Sequence, residues 1–479
     1  MKAIEAKVDA IVKAAMDAFD APGMAVAIVR DGKVVHCRGY GFRERGKPDP
    51  VTSKTNFAIA SCTKAFTSTA AAMLVDEKKM AWDDPVRKHI PFFRFTDPVS
   101  DHLVTIADLL SHRTGLPRSD ILWYGSRLER EEIVRRACNL GMAHPIRSFY
   151  EYNNLMYTAA GYAIGLASGL GYENFIRKRI FGPLGMTAAA LSSAEAVAAT
   201  DHATPHDLDR NRKTVVIPRC VIDNVCPTGG IHAGAEDMAK WLIFQLAGGM
   251  WMGKRLVSEE NLAATKAPMI LSDLADEPDL PTLSAYAMGW QVYDLIGTRV
   301  LTHSGGIDGF ASETTLLPRL GVGFSILCNV GRPAPRAVRR ALTAHFGGFG
   351  FSRDPVQRCL EEERKLIEDA EKASKELLAK KIEGTRPSKP FSAFAGKYSE
   401  PAYGEMEFSA KGKRLAMTYN GIRYDAEHLH HDTFLLHPPF VQVVESLGTL
   451  TFGCGHDGVI DAARWIVKGW DVDRVFRRM

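Results

Sequence analysis

The sequence lacks most patterns that announce a metal, a cofactor or a charged partner. Its eight cysteines are Cys37, Cys62, Cys138, Cys220, Cys226, Cys328, Cys359 and Cys454, with no CxxC pair and no ligand-like spacing. Neither a thiolate zinc site nor a disulfide framework is expected, and free thiols in a reducing compartment are. There is no HExxH and no GxSxG, which sets aside zinc proteases and the nucleophile elbow of α/β-hydrolases. No segment supplies the ~18 uncharged apolar residues of a membrane span. Positive charge is not concentrated either. The 60 Lys and Arg against 56 Asp and Glu leave +4 over 479 residues, which argues against nucleic acid and anionic membranes as partners. The GxGxxG match at 453–458 has no βαβ context and reads as a hairpin turn. The histidines at 428–431 have no carboxylate or thiol companions and read as surface residues. No metal and no cofactor are expected.

What is present is an ordinary globular composition, 46% hydrophobic and 24% charged, in a chain longer than the ~100–200 residues of one domain. Ile4, Val8, Ile11, Val12, Ala15 and Phe19 fall at helical spacing. Glu5, Asp9 and Asp17 interrupt that segment, so it is not a signal peptide, and a cytoplasmic protein is expected. Residues 24–30 and 34–42 flank an Asp31-Gly32-Lys33 turn and read as a hairpin. A helix is predicted over 61–77, a mostly helical region over 105–200, and strands within 286–303 and 319–330. This order points to an α+β fold, with one sheet made from both chain ends around a helical insertion. From Gln357 to Glu383 the chain is dense in Glu, Lys and Ala, with Leu360, Leu366, Ile367, Leu377 and Leu378 as a stripe. It reads as a charged connector helix, followed by a linker at 385–390. The runs GEMEFSA, RLAMTYN, TFLLH, FVQVVES and RWIVKGW, separated by turns, predict a small antiparallel β-barrel. The expected division is 1–355, 356–390 and 391–479.

The sharpest chemical signal is Ser61-Cys62-Thr63-Lys64 at the start of the predicted 61–77 helix. Residues three apart share a helix face. The helix N-terminus disfavours an ammonium and favours an alkoxide, and burial would push Lys64 the same way. A neutral Lys64 then activates Ser61 as a nucleophile. Tyr152 and Asn154 sit two apart at a loop-to-helix junction. There the phenol can exchange protons, and the carboxamide can bond a substrate carbonyl or orient Lys64. His303-Ser304-Gly305-Gly306 follows an apparent strand at 298–302, where the Gly306 N–H can join the Ser61 N–H as an oxyanion hole.

SxxK, YxN and HxG in this order resemble the serine β-lactamase and penicillin-binding-protein family. The closest resemblance is to its class C β-lactamase-like branch of esterases and D-amino-acid-directed peptidases (family VIII esterases, S12 peptidases). Segments 104–117, 175–187, 227–241 and 287–294 look like the same framework, and the resemblance covers roughly residues 5–350. It implies a β-lactamase/transpeptidase-like fold, in which an antiparallel sheet is flanked by helices beside an all-helical subdomain. It also implies catalytic roles for Ser61, Lys64, Tyr152 and His303, with Tyr152 as general base and acid. Asn154, Ser304, Gly305 and Gly306 become substrate-binding residues. Many family members have Lys where this chain has His303, and that cation holds a substrate carboxylate. The imidazole therefore points to an esterase or peptidase rather than an efficient β-lactamase. The C-terminal barrel resembles a lipocalin-like appendage, as in intracellular compartmentalising peptidases, which implies a homo-oligomer formed through it. The expected substrate is a small molecule or short peptide. A weak β-lactamase or penicillin-binding protein, and a non-catalytic binding and assembly protein, are the alternatives. The barrel carries no motif, so all the chemistry is expected to lie before the connector.

Overall fold

The computed structural model describes residues 2–274, 281, 283–437, 448–467 and 472–479. The predicted strand run at 440–446 and the last three residues of the run at 464–470 lie outside them. Eight antiparallel strands form one sheet, in the order Lys33–Gly41, Gly23–Arg30, Val322–Cys328, Phe310–Leu317, Thr298–Ile307, Gln291–Leu295, Leu283–Tyr286 and Ile270–Leu274. The two chain ends join where Ala25 pairs with Leu327 and Ile28 with Phe324. The N-terminal hairpin turns at Asp31 and Gly32, with φ of 51° and 73°. This is the left-handed pair that matches the strand twist.

Helices cover both faces of the sheet. On one, the helix Lys2–Ala18 packs Val8, Val12 and Ala15 with Val26, Ile28, Phe324 and Ile326, together with Val338 and Leu342 of helix Ala334–Gly347. On the other, Ala25, Ala27 and Val29 meet the helices Lys64–Asp76 and Ala235–Leu246. Helix Lys64–Asp76 is buried from Lys64 through Leu74, and the hydroxyls of Thr67, Ser68 and Thr69 within it donate to backbone carbonyls.

Three expectations change. Strand Thr298–Ile307 runs through His303–Gly306 instead of ending before them, and its partner Phe310–Leu317 was not anticipated. The two glycines masked the strand pattern, because glycine has low strand propensity but permits close backbone approach. The 61–77 helix begins as a 3-10 turn, Ala60–Thr63, and becomes α-helical at Lys64. The connector forms a helix, Pro355–Leu378, seated by only part of its expected apolar stripe. Leu366 is 60% exposed, while Leu360 and Ile367 of the stripe, with Cys359 and the pairs Arg332–Glu363 and Arg340–Glu362, attach it to the body.

The C-terminal segment is a closed barrel of eight antiparallel strands, from Gly396–Glu400 to Val472–Arg478, sealed by the pairing of Tyr398 with Arg478. Its interior is packed with aromatic rings. Phe452 sits 4.7 Å from Phe394, 5.1 Å from Phe408 and 5.8 Å from Tyr398 and Phe434, centroid to centroid. These rings and the buried residues of the helical region form one continuous apolar cluster. Among the described residues, no helix is long and apolar enough to cross a membrane.

Phe452→Ala is expected to lower stability by about 3–5 kcal/mol through lost transfer energy and a cavity. The urea midpoint of the barrel's unfolding, followed by tryptophan fluorescence, checks it.

Candidate functional site

Local sequence places each reacting group. Ala60 adopts φ +44°, a strained conformation for a residue with a Cβ, and so turns Ser61 out of the strand-to-helix path. Ser312 Oγ donates to the Ile59 carbonyl at 2.8 Å, and Cys62 Sγ to the His303 carbonyl at 3.2 Å, which pins that turn to the sheet. A Cβ at Gly305 would lie 2.2 Å from the Ile59 oxygen and 3.1 Å from the Ser61 nitrogen. Only glycine lets the strand pass there. Asn153 caps helix Asn154–Ser168: its Oδ1 accepts from the Met156 N–H, and its Nδ2 donates to the Leu116 and Pro117 carbonyls. The cap sets Tyr152 and Asn154 on either side of it, facing Ser61 and Lys64.

Tyr152 donates to Ser61 Oγ at 2.8 Å. Lys64 Nζ lies 3.0 Å from the same oxygen, 2.8 Å from Asn154 Oδ1, 2.9 Å from the Thr228 carbonyl and 3.0 Å from Thr228 Oγ1. All four partners are uncharged, and Lys64 is 0% exposed. Burial holds its amine well below the usual lysine value, opposed by the Asp120 carboxylate. Burial also raises the Tyr152 phenol above its ordinary value. These shifts favour the neutral amine and the protonated phenol. A neutral amine has two N–H groups and a lone pair. Around Lys64 the Asn154 and Thr228 carbonyl oxygens and Thr228 Oγ1 are acceptors, and Ser61 Oγ is the fourth neighbour.

Asn154 is used internally at both ends. Its Nδ2 donates to Asp120 Oδ1 at 2.9 Å, and its Oδ1 accepts from Lys64 and from the Thr228 hydroxyl. An acceptor on one side and donors on the other fix the amide's orientation, so it acts on Lys64. His303 also lies one layer back. Its Nδ1 donates to the Ser304 carbonyl at 2.6 Å, and its Nε2 accepts from the Tyr286 hydroxyl at 2.8 Å. Burial lowers the imidazole to about 3. Ser304 and Gly306 are exposed on the cleft wall, and a Cβ at Gly306 would touch nothing.

The cleft holds about 670 Å³. Arg118, Asp120, Thr228 and the two glutamates of the connector were not singled out from the sequence. Asp120 and Thr228 bind the Asn154–Lys64 pair, and Arg118 donates to Asp120 Oδ2 at 2.5 Å with its guanidinium 5.4 Å from the Tyr152 ring centre. Trp123 and Tyr124 line the cleft, and Tyr124 donates to Asp308. Glu362, Glu363 and Leu366 of helix Pro355–Leu378 form the far wall, so the connector is part of the site and not only a spacer. Segment 104–117 ends one residue before Arg118, and segment 227–241 contains Thr228. Lone Asp, Thr and Arg side chains in loops carry no periodic signal of their own.

Above the ordinary histidine pKa of 6.5 both the folded and unfolded chains hold His303 neutral. Between 6.5 and about 3 only the unfolded chain takes the proton, so His303 costs stability as pH falls through that window. His303→Gln is expected to lose less melting temperature between pH 7 and pH 5 than the unsubstituted protein. Paired thermal scans at the two pH values test this.

The sequence pattern of the Beta-lactamase family matches residues 8–347. A domain of unknown function, DUF3471, matches residues 380–478. Unguisins hydrolase ungD' of Aspergillus campestris is 29% identical over 416 residues, which is 83% of this chain and 76% of that protein. Protein flp of Staphylococcus aureus is 28% identical over 330 residues, covering 68% of this chain and 63% of its own length. Unguisins hydrolase ungD of Aspergillus violaceofuscus is matched over 61% of its length, so the chain spans less than two thirds of these last two relatives. The octameric penicillin-binding protein homologue from Pyrococcus abyssi has the same fold, with a TM-score of 0.65 at 22% identity over 98% of this chain and 99% of that one. With the family pattern matched over most of its length, this chain belongs to the beta-lactamase family of serine hydrolases.

Proposed function

We propose that the protein forms an acyl-enzyme on Ser61 and cleaves small ester or amide substrates, as a D-amino-acid-directed peptidase or an esterase. One observation carries this reading: Ser61 Oγ lies 3.0 Å from the Lys64 amine and 2.8 Å from the Tyr152 phenol, two groups whose proton affinities burial drives apart. Such a divergence assigns a base and an acid.

The Lys64 lone pair takes the Ser61 proton as Oγ bonds to the substrate carbonyl carbon. The developing oxyanion meets the Ser61 and Gly306 N–H groups. Tyr152 gives its proton to the leaving oxygen or nitrogen as that bond breaks, and the proton held by Lys64 restores the phenol. Water then attacks the acyl group by the same transfers in reverse, releasing the acid and Ser61. Tyr152 thus acts first as an acid, and Lys64 is the first base. Asn154 orients Lys64, and His303 shapes the strand behind the site. No step calls for a metal or cofactor.

Weak β-lactamase activity is a second reading, favoured by Arg118. Its guanidinium brings to the cleft the positive charge that residue 303 does not supply. The names of the hydrolase relatives support hydrolysis and leave the substrate open. The catalytic unit in this reading is 1–355, joined through 356–390 to the 391–479 barrel, with a homo-oligomer assembled through the barrel. Light scattering tests the assembly.

With p-nitrophenyl acetate, Ser61→Ala is expected to give neither a burst nor an acetyl adduct by intact mass, and unchanged turnover in the folded variant would overturn the assignment. Tyr152→Phe should lower kcat by about 10²–10⁴-fold, the usual contribution of a positioned acid or base. The free base must be deprotonated, so kcat/KM is expected to fall only as pH drops through the lowered Lys64 pKa. A pH profile with its acid limb near the ordinary lysine value would contradict a neutral Lys64.

A further inference from the structure

The barrel reaches the loop beside the site through a hairpin tip and through Tyr403, whose hydroxyl donates to Ser119 Oγ at 3.1 Å. Strands Arg414–Tyr419 and Ile422–His430 are joined by Asn420 and Gly421, with φ of 49° and 76°, the left-handed pair of a tight hairpin. The tip of this hairpin presses on residues 119–125 of the cleft wall. Asn420 Nδ2 donates to three carbonyls of that segment: Ile121 at 3.0 Å, Leu122 at 3.2 Å and Tyr124 at 3.2 Å. Ile422 packs so closely on Gly125 that a Cβ there would lie 2.6 Å from it. One residue before the held carbonyls stands Asp120, whose Oδ1 accepts from Asn154. Asn154 in turn accepts from Lys64, 3.0 Å from Ser61.

We infer that Asn420 is a positioning residue for the Ser61 site, in which the barrel carboxamide fixes the Asp120–Tyr124 turn and, through Asp120 and Asn154, the aim of Lys64. The inference rests on the acyl-enzyme reading above and adds the barrel to it. It also revises the expectation that all the chemistry lies before the connector. The two N–H groups of one amide are shared among three carbonyls at the open end of a short 3-10 turn, Asp120–Leu122. Carbonyls at such an end have no partner within the turn, and water would otherwise satisfy them. An ordered turn holds the Asp120 carboxylate against the Asn154 amide. A released turn withdraws that acceptor and lets the amide rotate, presenting N–H where Lys64 needs an oxygen.

The test uses the full-length protein and p-nitrophenyl acetate. Asn420→Gly removes the carboxamide and keeps a residue that adopts positive φ freely. Asn420→Asp keeps the volume and points a carboxylate oxygen at the three carbonyls. Both are expected to lower kcat by about ten- to hundredfold, the scale of a misplaced catalytic group, with KM for this small ester little changed. Lys64 is faced by Asp120 and Arg118 from this loop, by Cys62 from its own turn and by the lowered imidazoles of His112 and His303. Withdrawing Asp120 removes the one anion that favours the ammonium, so the acid limb of the pH profile should move to lower pH. Phe452→Leu, which weakens the barrel without touching the loop, should leave that limb in place. Wild-type kcat and an unmoved acid limb in Asn420→Gly would overturn the inference, as would a rise in KM alone. A failure of the underlying reading would look different, because the unsubstituted protein would then form no adduct on Ser61.

Discussion

A lysine amine without a charged partner, enclosed by protein, is the constraint around which the site is arranged. Lys64 touches a serine hydroxyl, a carboxamide, a backbone carbonyl and a threonine hydroxyl. An ammonium in that enclosure would forfeit its hydration without a carboxylate in contact, and removing a charge from water is costly. Neutral amine is the cheaper state, and it has the lone pair a serine nucleophile requires. The nearest compensating anion, Asp120, is held one residue away by Asn154. Direct contact with it would restore the ammonium and fill the lone pair.

The remaining parts hold that arrangement steady. The sheet presses on the Ser61 turn at Gly305, where no side chain fits. The cap at Asn153 orients Tyr152 and Asn154 together, so one helix start delivers both the phenol beside Ser61 and the carboxamide beside Lys64. Behind them, His112 and His303 are kept neutral by burial. That enclosure does not favour a cation. Positive charge appears instead at Arg118, in the open cleft and tied to Asp120, where solvent reduces its cost.

The cleft draws on three separate regions of the chain. The helical insertion supplies the loop carrying Arg118, Asp120 and Tyr124, the charged helix supplies Glu362 and Glu363, and the barrel hairpin braces the loop from behind. The helical region and the barrel interior share one apolar cluster. Displacing the barrel would therefore expose apolar surface on the back of the catalytic region, which ties the order of the site to the barrel's attachment.

Much of this was legible in sequence, because it rests on short-range chemistry. The Asp-Gly hairpin, the alternating barrel runs, and the SxxK and YxN spacings are local patterns, and local backbone preferences produced the elements and the faces they implied. Ser61, Lys64 and Tyr152 could be named from their types and spacings, and folding brings all three within hydrogen-bond distance. What tertiary structure alone decided is where side chains far apart in the chain meet. Strand Thr298–Ile307 extends through two glycines because the Ser61 turn lies against it. His303 is spent on Tyr286 and the Ser304 carbonyl because strand alternation turns it from the cleft, and Asn154 is spent on Asp120 and Lys64. Asp120, Thr228 and Asn420 have no signature, since a single polar side chain acquires its meaning from the partner that folding sets beside it.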